Sequence, residues 1–274
     1  MSDTDKNIKD RFSFGRNWQQ FITKLDKTRI MGAEDSLKNM LGKSELSGHS
    51  FLDVGSGSGL FSLAAARMGA AEVMSFDYDI DSVDCTAFLK KQWGPDGCDW
   101  QVCQGSVLDP GFLAGLKPFD IVYSWGVLHH TGAMWQAFEN LVPLVKKQGQ
   151  LFIAIYNDQG MASRVWKWIK KIYNRLGTPF QSIFFYTVWF LMEFLRCIQS
   201  LVRKEPPFPT GHQKPRLRGM SYWHDAVDWI GGYPFEVATP REIKDYFGKQ
   251  GFVLENEILV RGAGCNEFVF KRIR

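Results

Sequence analysis

Phe51-Leu52-Asp53-Val54-Gly55-Ser56-Gly57-Ser58-Gly59, followed by Leu60-Phe61-Ser62-Leu63-Ala64-Ala65-Ala66-Arg67-Met68-Gly69, is the stretch whose reading decides the fold. An apolar strand ends at Asp53–Val54, three glycines make a turn, and an Ala- and Leu-rich helix begins. Glycine takes positive φ without strain and lets the backbone approach a ligand with no Cβ in the way. A helix starting there presents unpaired N–H groups and about half a positive charge. The pattern is the ligand-binding turn of a βαβ unit.

Two ligand classes compete for such a turn. A dinucleotide fingerprint needs G-x-G-x-x-G, with an acid about 20 residues further on. Here the glycines run G-x-G-x-G, Leu60 stands at the third fingerprint position, and the strand ends in a carboxylate, Asp53. That acid repels a pyrophosphate and suits a cation. The second strand, Glu72-Val73-Met74-Ser75-Phe76, ends at Asp77, placed to accept both hydroxyls of a ribose. A ribose, a cationic centre and no phosphate together describe S-adenosylmethionine; a nicotinamide oxidoreductase is the alternative.

Four segments in order, Asp53-Val54-Gly55-Ser56-Gly57-Ser58-Gly59, Phe76-Asp77-Tyr78, Gly105-Ser106-Val107-Leu108-Asp109 and Phe119 through His130, resemble successive motifs of the class I S-adenosylmethionine-dependent methyltransferases. The resemblance covers about residues 51–156. It implies a Rossmann-like α/β fold with a seven-stranded, mostly parallel sheet and an antiparallel last strand. It implies S-adenosyl-L-methionine as methyl donor to a small-molecule or lipid-linked acceptor, most simply at oxygen. Carried over position by position, it puts Asp53 and Gly55 at the amino-acid end of the donor, Ser56, Gly57 and Gly59 in the same donor-binding turn, Asp77 at the ribose, Tyr78 at the adenine or ribose, and Ser106 and Val107 at the adenine. Ser124, Trp125, His129 and His130 follow the fourth strand, whose carboxyl end faces the donor methyl in this fold. A histidine there is suited to take a hydroxyl proton, although in this family such a histidine often only braces its loop. Other uses of the same donor share the fold and stay open here.

The 274 residues suffice for one elaborated domain, and 45% hydrophobic with 23% charged residues is ordinary for a globular chain. Cysteines at 85, 98, 103, 197 and 265 form neither a disulfide framework nor a metal-type pair of pairs. No His, Asp and Glu cluster demands a metal. The first residues are polar and charged, without an apolar signal core, so a cytoplasmic protein is expected.

Around this core we expect four segments: an N-terminal cover over 1–48, the donor-binding core over 49–160, an inserted cap over 161–233, and a return to the sheet over 234–274. In the cover, Phe12, Phe14, Trp18 and Phe21 suit packing on the core. The same segment suits a lid in which Arg16 pairs with the donor carboxylate while Phe14 or Trp18 faces the sulfonium. Trp135–Lys147 reads as a helix closed by Gln148-Gly149, and the next strand ends at Tyr156 and Asn157, polar groups placed to hold the acceptor.

The insert changes composition. Residues 161–220 hold 11 Lys and Arg against 2 Asp and Glu, a net +9 in a chain whose total is +4, which leaves the remainder at −5. Val165, Ile169, Ile172 and Leu176 fall on one helical face, with Lys167, Lys170, Lys171 and Arg175 largely elsewhere. Residues 183–196 are strongly apolar, but Glu193, Arg196 and Gln199 argue against a membrane span. The region reads as a helical lid, or as a basic aromatic helix pair resting on a membrane surface or admitting a lipid-linked acceptor. It lacks a nucleic-acid-binding module, so nucleic acid is an unlikely partner. Arg218, Trp223 and His224 lie in an aromatic, glycine-rich stretch suited to an acceptor pocket. That stretch bears a weaker similarity to methyltransferases near ubiquinone-type or surface-glycan biosynthesis. Thr239-Pro240-Arg241-Glu242 carries a helix start, and a hairpin closes the chain.

Overall fold

The computed structural model describes residues 12, 18, 22, 25–203 and 222–274, with all their side chains but those of 199, 202, 203, 222–225 and 228. Seven strands form one sheet: β1 (Ser50–Val54), β2 (Glu72–Asp77), β3 (Asp99–Gln104), β4 (Phe119–Trp125), β5 (Val145–Tyr156), β6 (Phe252–Ile258) and β7 (Cys265–Arg272), in the order β3-β2-β1-β4-β5-β7-β6. The first five pair in parallel, and β7 runs antiparallel between β5 and β6. This is the expected Rossmann-like sheet. The order reverses at β1 and β4, the switch point where open α/β sheets bind their ligands.

Side-chain alternation along the central strands separates two apolar layers. Phe51, Ile121, Tyr123 and Phe152 face one layer, which α1 (Lys27–Leu41) and α2 (Leu60–Arg67) cover. Leu52, Val122, Leu151 and Ile153 face the other, covered by α5 (Met134–Leu141) and α9 (Pro240–Lys249). Both faces of β1 are therefore buried, which is why it reads as an uninterrupted apolar run broken only by Ser50 and Asp53. The remaining helices are α3 (Ile80–Trp93), α4 (Pro110–Ala114), α6 (Met161–Arg175), α7 (Thr178–Arg203) and α8 (Tyr222–Gly231). The last three pack on one another through Tyr173, Phe185 and Ile230, with Phe12 from the N-terminal segment wedged among them.

The helix expected at Trp135–Lys147 is shorter. α5 ends at Leu141, a 3-10 turn covers Val142–Leu144, and β5 starts at Val145, before the Gln148-Gly149 pair expected to precede it. Pro143 explains the break: it has no N–H for the helical ladder and its ring crowds the preceding turn. Gln148 and Gly149 instead sit inside β5, where Gln148 takes φ 67° and the register against β4 shifts.

Asp53 stands at a buried hydrogen-bond chain that ties four elements. Trp100 Nε1 donates to Ser75 Oγ (2.8 Å), Ser75 to Ser62 Oγ (2.7 Å), and Ser62 to Asp53 Oδ2 (2.5 Å). Burial raises the Asp53 carboxyl from its ordinary 3.8 to about 7, against the opposing hydrogen bonds from Ser62 and with a further push from the Asp77 charge. A raised folded-state value means that, between about pH 4 and 7, the folded protein holds a proton the unfolded chain has released. Stability therefore falls as pH rises across that window. Asp53→Asn should remove this fall, on the order of 3–4 kcal/mol between pH 4 and 8, read as the difference between wild-type and variant urea unfolding. Asp120 does not mask it: burial raises that carboxyl, but Lys146 and Ser50 outweigh burial and hold it at about 2.

A second test concerns the helix that closes the sheet. Thr239 accepts from Glu242 N (3.2 Å) while the Glu242 carboxylate accepts from Thr239 N (2.8 Å), a reciprocal cap. Thr239→Ala should cost about 1 kcal/mol, lowering the urea midpoint at constant slope.

Candidate active site

The glycine turn after β1 is held from two sides. Gly55 takes φ 77°, and a Cβ there would lie 2.5 Å from the Val127 methyls. Gly57 takes φ 55°, and a Cβ there would come within 3.0 Å of the Trp18 indole. At Gly59, which precedes α2, a Cβ would press on Thr86 of α3 at 2.9 Å. The glycines were expected to clear space for a ligand. At 55 and 59 they make room for the protein itself, and at 57 for the covering tryptophan. Ser56 turns its hydroxyl to Thr86 (2.9 Å), away from the turn's mouth.

Asp77, at the end of β2, joins this turn to the next. Its Oδ2 accepts from Gly57 N and its Oδ1 from Asp79 N, both at 2.9 Å. Asp53, expected to face the ligand directly, is enclosed behind the turn with Oδ2 held by Ser62, so it shapes the site from beneath. Tyr78 stands partly exposed beside Asp77, its carbonyl accepting from Gln104. After β3, the Ser106 hydroxyl accepts from Leu108 N (3.1 Å). Val107 buries its side chain in the apolar core, in place of the expected adenine contact.

β4 delivers the next group. Ser124, expected at the donor, is fully buried and donates to the Val54 carbonyl (3.0 Å), tying β4 to β1. Trp125 packs against the layer that holds Trp18. The turn that follows separates the two histidines. His129 is sealed in, its ring 3.9 Å from that of Tyr156, and Tyr156 N donates to its Nδ1 (3.4 Å). Burial first, then the nearness of His130 and Lys170, holds its pKa well below the ordinary range. His129 is thus neutral and enclosed beneath the loop. His130 keeps 6% exposure, and its Nδ1 donates to the Pro234 carbonyl (2.7 Å). That bond fixes the neutral tautomer with Nε2 as the accepting nitrogen.

Tyr156 lies at the centre of an aromatic nest, its ring 5.4 Å from His130, 5.4 Å from Trp229 and 5.3 Å from Phe235. Asn157, expected beside it at the acceptor, is engaged elsewhere. Its Nδ2 donates to Val260 and Gly262 carbonyls (both 3.3 Å) and its Oδ1 accepts from Asn266 (3.1 Å), so it pins the turn between β6 and β7. Phe14, Arg16 and Arg218, and the side chains of Trp223 and His224, lie outside the described residues.

Sequence reading missed the most unusual member. Lys170 of α6 is fully buried, donates to the Trp229 carbonyl, and sits 4.8 Å from the Trp229 and Phe235 ring centroids. It was placed on the polar face of its helix because lysine is almost never interior. The signal was in the aromatic Trp229–Phe235 stretch, which offers a cation several ring faces. Glu236 follows, its carboxylate accepting from Met134 N (3.0 Å) and its pKa raised by burial.

These residues fit a donor with a ribose and a cationic centre. Asp77 sits at the rim of the glycine turn at the switch point, and Trp18 covers that turn at Gly57.

Comparison with known proteins agrees. The profile of the methyltransferase-domain family matches residues 45–181, half of the chain. No curated protein matches in sequence. Among solved structures, a magnesium protoporphyrin IX methyltransferase from Synechocystis, crystallised with SAH, superposes with a TM-score of 0.51 at 14% identity, over 89% of this chain and 84% of that one. A Listeria monocytogenes protein assigned to the S-adenosylmethionine-dependent methyltransferases gives 0.52 at 14% identity, over 88% and 98%. One from Bacillus halodurans described as a methyltransferase gives 0.50 at 13%, over 86% and 97%. At such identities these likenesses carry the fold, and it is the profile match across the glycine turn, Asp77 and the histidine loop that places the chain among the class I S-adenosylmethionine-dependent methyltransferases.

Proposed function

We propose that the enzyme methylates a hydroxyl of an amphiphilic acceptor, small or lipid-linked, with His130 as general base. The observation that carries this reading is the His130 Nδ1–H bond to Pro234, which orients Nε2 to receive a proton at the carboxyl end of β4. Beside it the rings of Tyr156, Trp229 and Phe235, which also flank the buried Lys170 ammonium, offer aromatic faces to a lipophilic acceptor. When bound, S-adenosylmethionine supplies an electrophilic methyl on a sulfonium. The chain's own work is then alignment and proton removal. Asp77 takes the ribose hydroxyls, Gly55 and Gly57 present the backbone of the turn, Trp18 covers the donor, Tyr78 and Ser106 border the ribose and adenine, and His130 accepts the acceptor's proton at Nε2. An attack distance of about 3–3.5 Å is what such alignment achieves. Peripheral contact of the basic cap with a membrane suits a lipid-linked acceptor.

His130→Ala should lower kcat roughly 100-fold or more while leaving SAH affinity unchanged, assayed with an acceptor found by screening lipophilic phenols and lipid-linked sugars. Activity within a few-fold of wild type would leave His130 a bracing role. Asp77→Ala should weaken SAH binding by roughly 1.5–3 kcal/mol in calorimetry. Asp77→Asn, which keeps one accepting oxygen for the turn, should still lose much of that affinity; retention by both variants would remove Asp77 from the donor site.

A further inference from the structure

We infer that the outer face of the α6–α7 pair is a membrane-docking surface that lies in the interface of a bilayer rich in anionic lipid; this deepens the amphiphilic-acceptor reading and rests on it. α7 is 26 residues long, about 39 Å. Its inner face meets α8 through Phe185 and its neighbours. Its outer face carries Phe180, Ile183, Phe190, Phe194, Ile198 and Leu201, spaced at three, four and seven residues along one stripe and between 43% and 75% exposed. Thr187, which falls within the stripe, donates its hydroxyl to the Ile183 carbonyl one turn back (2.8 Å) and so presents little polarity outward. On α6, Val165, Trp168 and Ile172 form a second exposed apolar row. An exposed apolar stripe of this length marks a binding surface in a folded protein.

The charge chooses the occupant. Exposed Arg164 and Lys167 alternate with Val165 and Trp168 on α6, and Lys171 lies over the Trp168 ring at 5.7 Å. Apolar residues interleaved with cations are what an interfacial helix presents to lipid headgroups. A second copy of this chain is the competing occupant. Pairing two such faces would set the Arg164, Lys167 and Lys171 cations of one copy against those of the other, whereas an anionic surface complements them. No helix among the described residues is long and apolar enough to cross a membrane, so the pair is built to lie flat. The same α6 turns Lys170 inward toward Tyr156 and Trp229, which puts the aromatic nest directly beneath the lipid-facing layer.

The test is co-sedimentation of the full chain with phosphatidylcholine vesicles, with and without phosphatidylglycerol, at low salt. Wild type should sediment with the phosphatidylglycerol vesicles and at least about tenfold less without that lipid or in high salt. Phe190→Glu combined with Phe194→Glu should reduce sedimentation at least about tenfold, while SAH binding by calorimetry stays at the wild-type value and shows that the variant is folded. Wild type left in the supernatant with every vesicle would overturn the proposal. So would equal sedimentation of the variant, equal binding to phosphatidylcholine alone, or a light-scattering mass of two chains that the variant halves. Because SAH binding is read without lipid, loss of docking and loss of the methyltransferase reading are separate results.

Discussion

The site depends on one carboxylate holding two chain segments at once. Asp77 takes a backbone N–H from the glycine turn with one oxygen and the N–H of Asp79, which caps α3, with the other. Above it, Gly55 N and Ser56 N donate to the Phe76 carbonyl (2.8 and 3.1 Å), so the turn is fastened to the end of β2 by main chain and side chain alike. The geometry requires β1 and β2 to be parallel neighbours in fixed register, which the pairing of Val54 with Phe76 supplies. Everything that places the turn, including the burial of both faces of β1, serves this junction. A shift of β1 by one residue would move each of its side chains to the opposite layer of the sheet and would carry the glycines away from Asp77.

The fold was legible because its cause is local. Apolar strands, a glycine turn and alanine-rich helices in alternation leave few architectures, and the hairpin at the end could only join the sheet edge antiparallel. The place of Asp77 at the end of β2, beside the glycine turn, was legible for the same reason. The side chains of Asp53, Ser124 and Asn157 were not. Each is polar and sits at the carboxyl end of a strand, the position that suggests a ligand contact. Each is engaged by a neighbour on another element: Ser62, Val54, and the Val260, Gly262 and Asn266 group. A sequence gives the strand end a residue occupies, but the partner that satisfies a buried polar group comes only from packing.

The cap shows the same limit in reverse. Val165 and Ile172 carry the helical period that normally marks a buried stripe, yet they face outward, while Lys170 on the nominally polar side is interior. Periodicity identifies that a helix has an apolar face but not what covers it. In a monomer with one core the two questions have one answer. In a lid with both an inner and an outer contact they separate, and the helix carries two apolar faces with a buried cation between them.

That buried cation is one of the contacts that attach α6 to the rest of the chain. Removing an ammonium from water costs several kcal/mol, and here the Trp229 carbonyl and the faces of Trp229 and Phe235 offset it. The contact joins α6, α8 and the segment after α8, the same segment whose Pro234 carbonyl orients His130 and whose Glu236 N–H donates to the His129 carbonyl (3.0 Å). Lys170 also lies near enough to His129 for its charge to disfavour a second one there. Lys170 therefore links α6 to the segment that holds the histidine loop, alongside Asn174, which donates to the Gly231 carbonyl, and Trp166, which packs on Trp229. An apolar residue at this position would pack the lid as tightly. It would not bind the carbonyl of Trp229, and so would not tie α6 to the segment that holds the histidine loop.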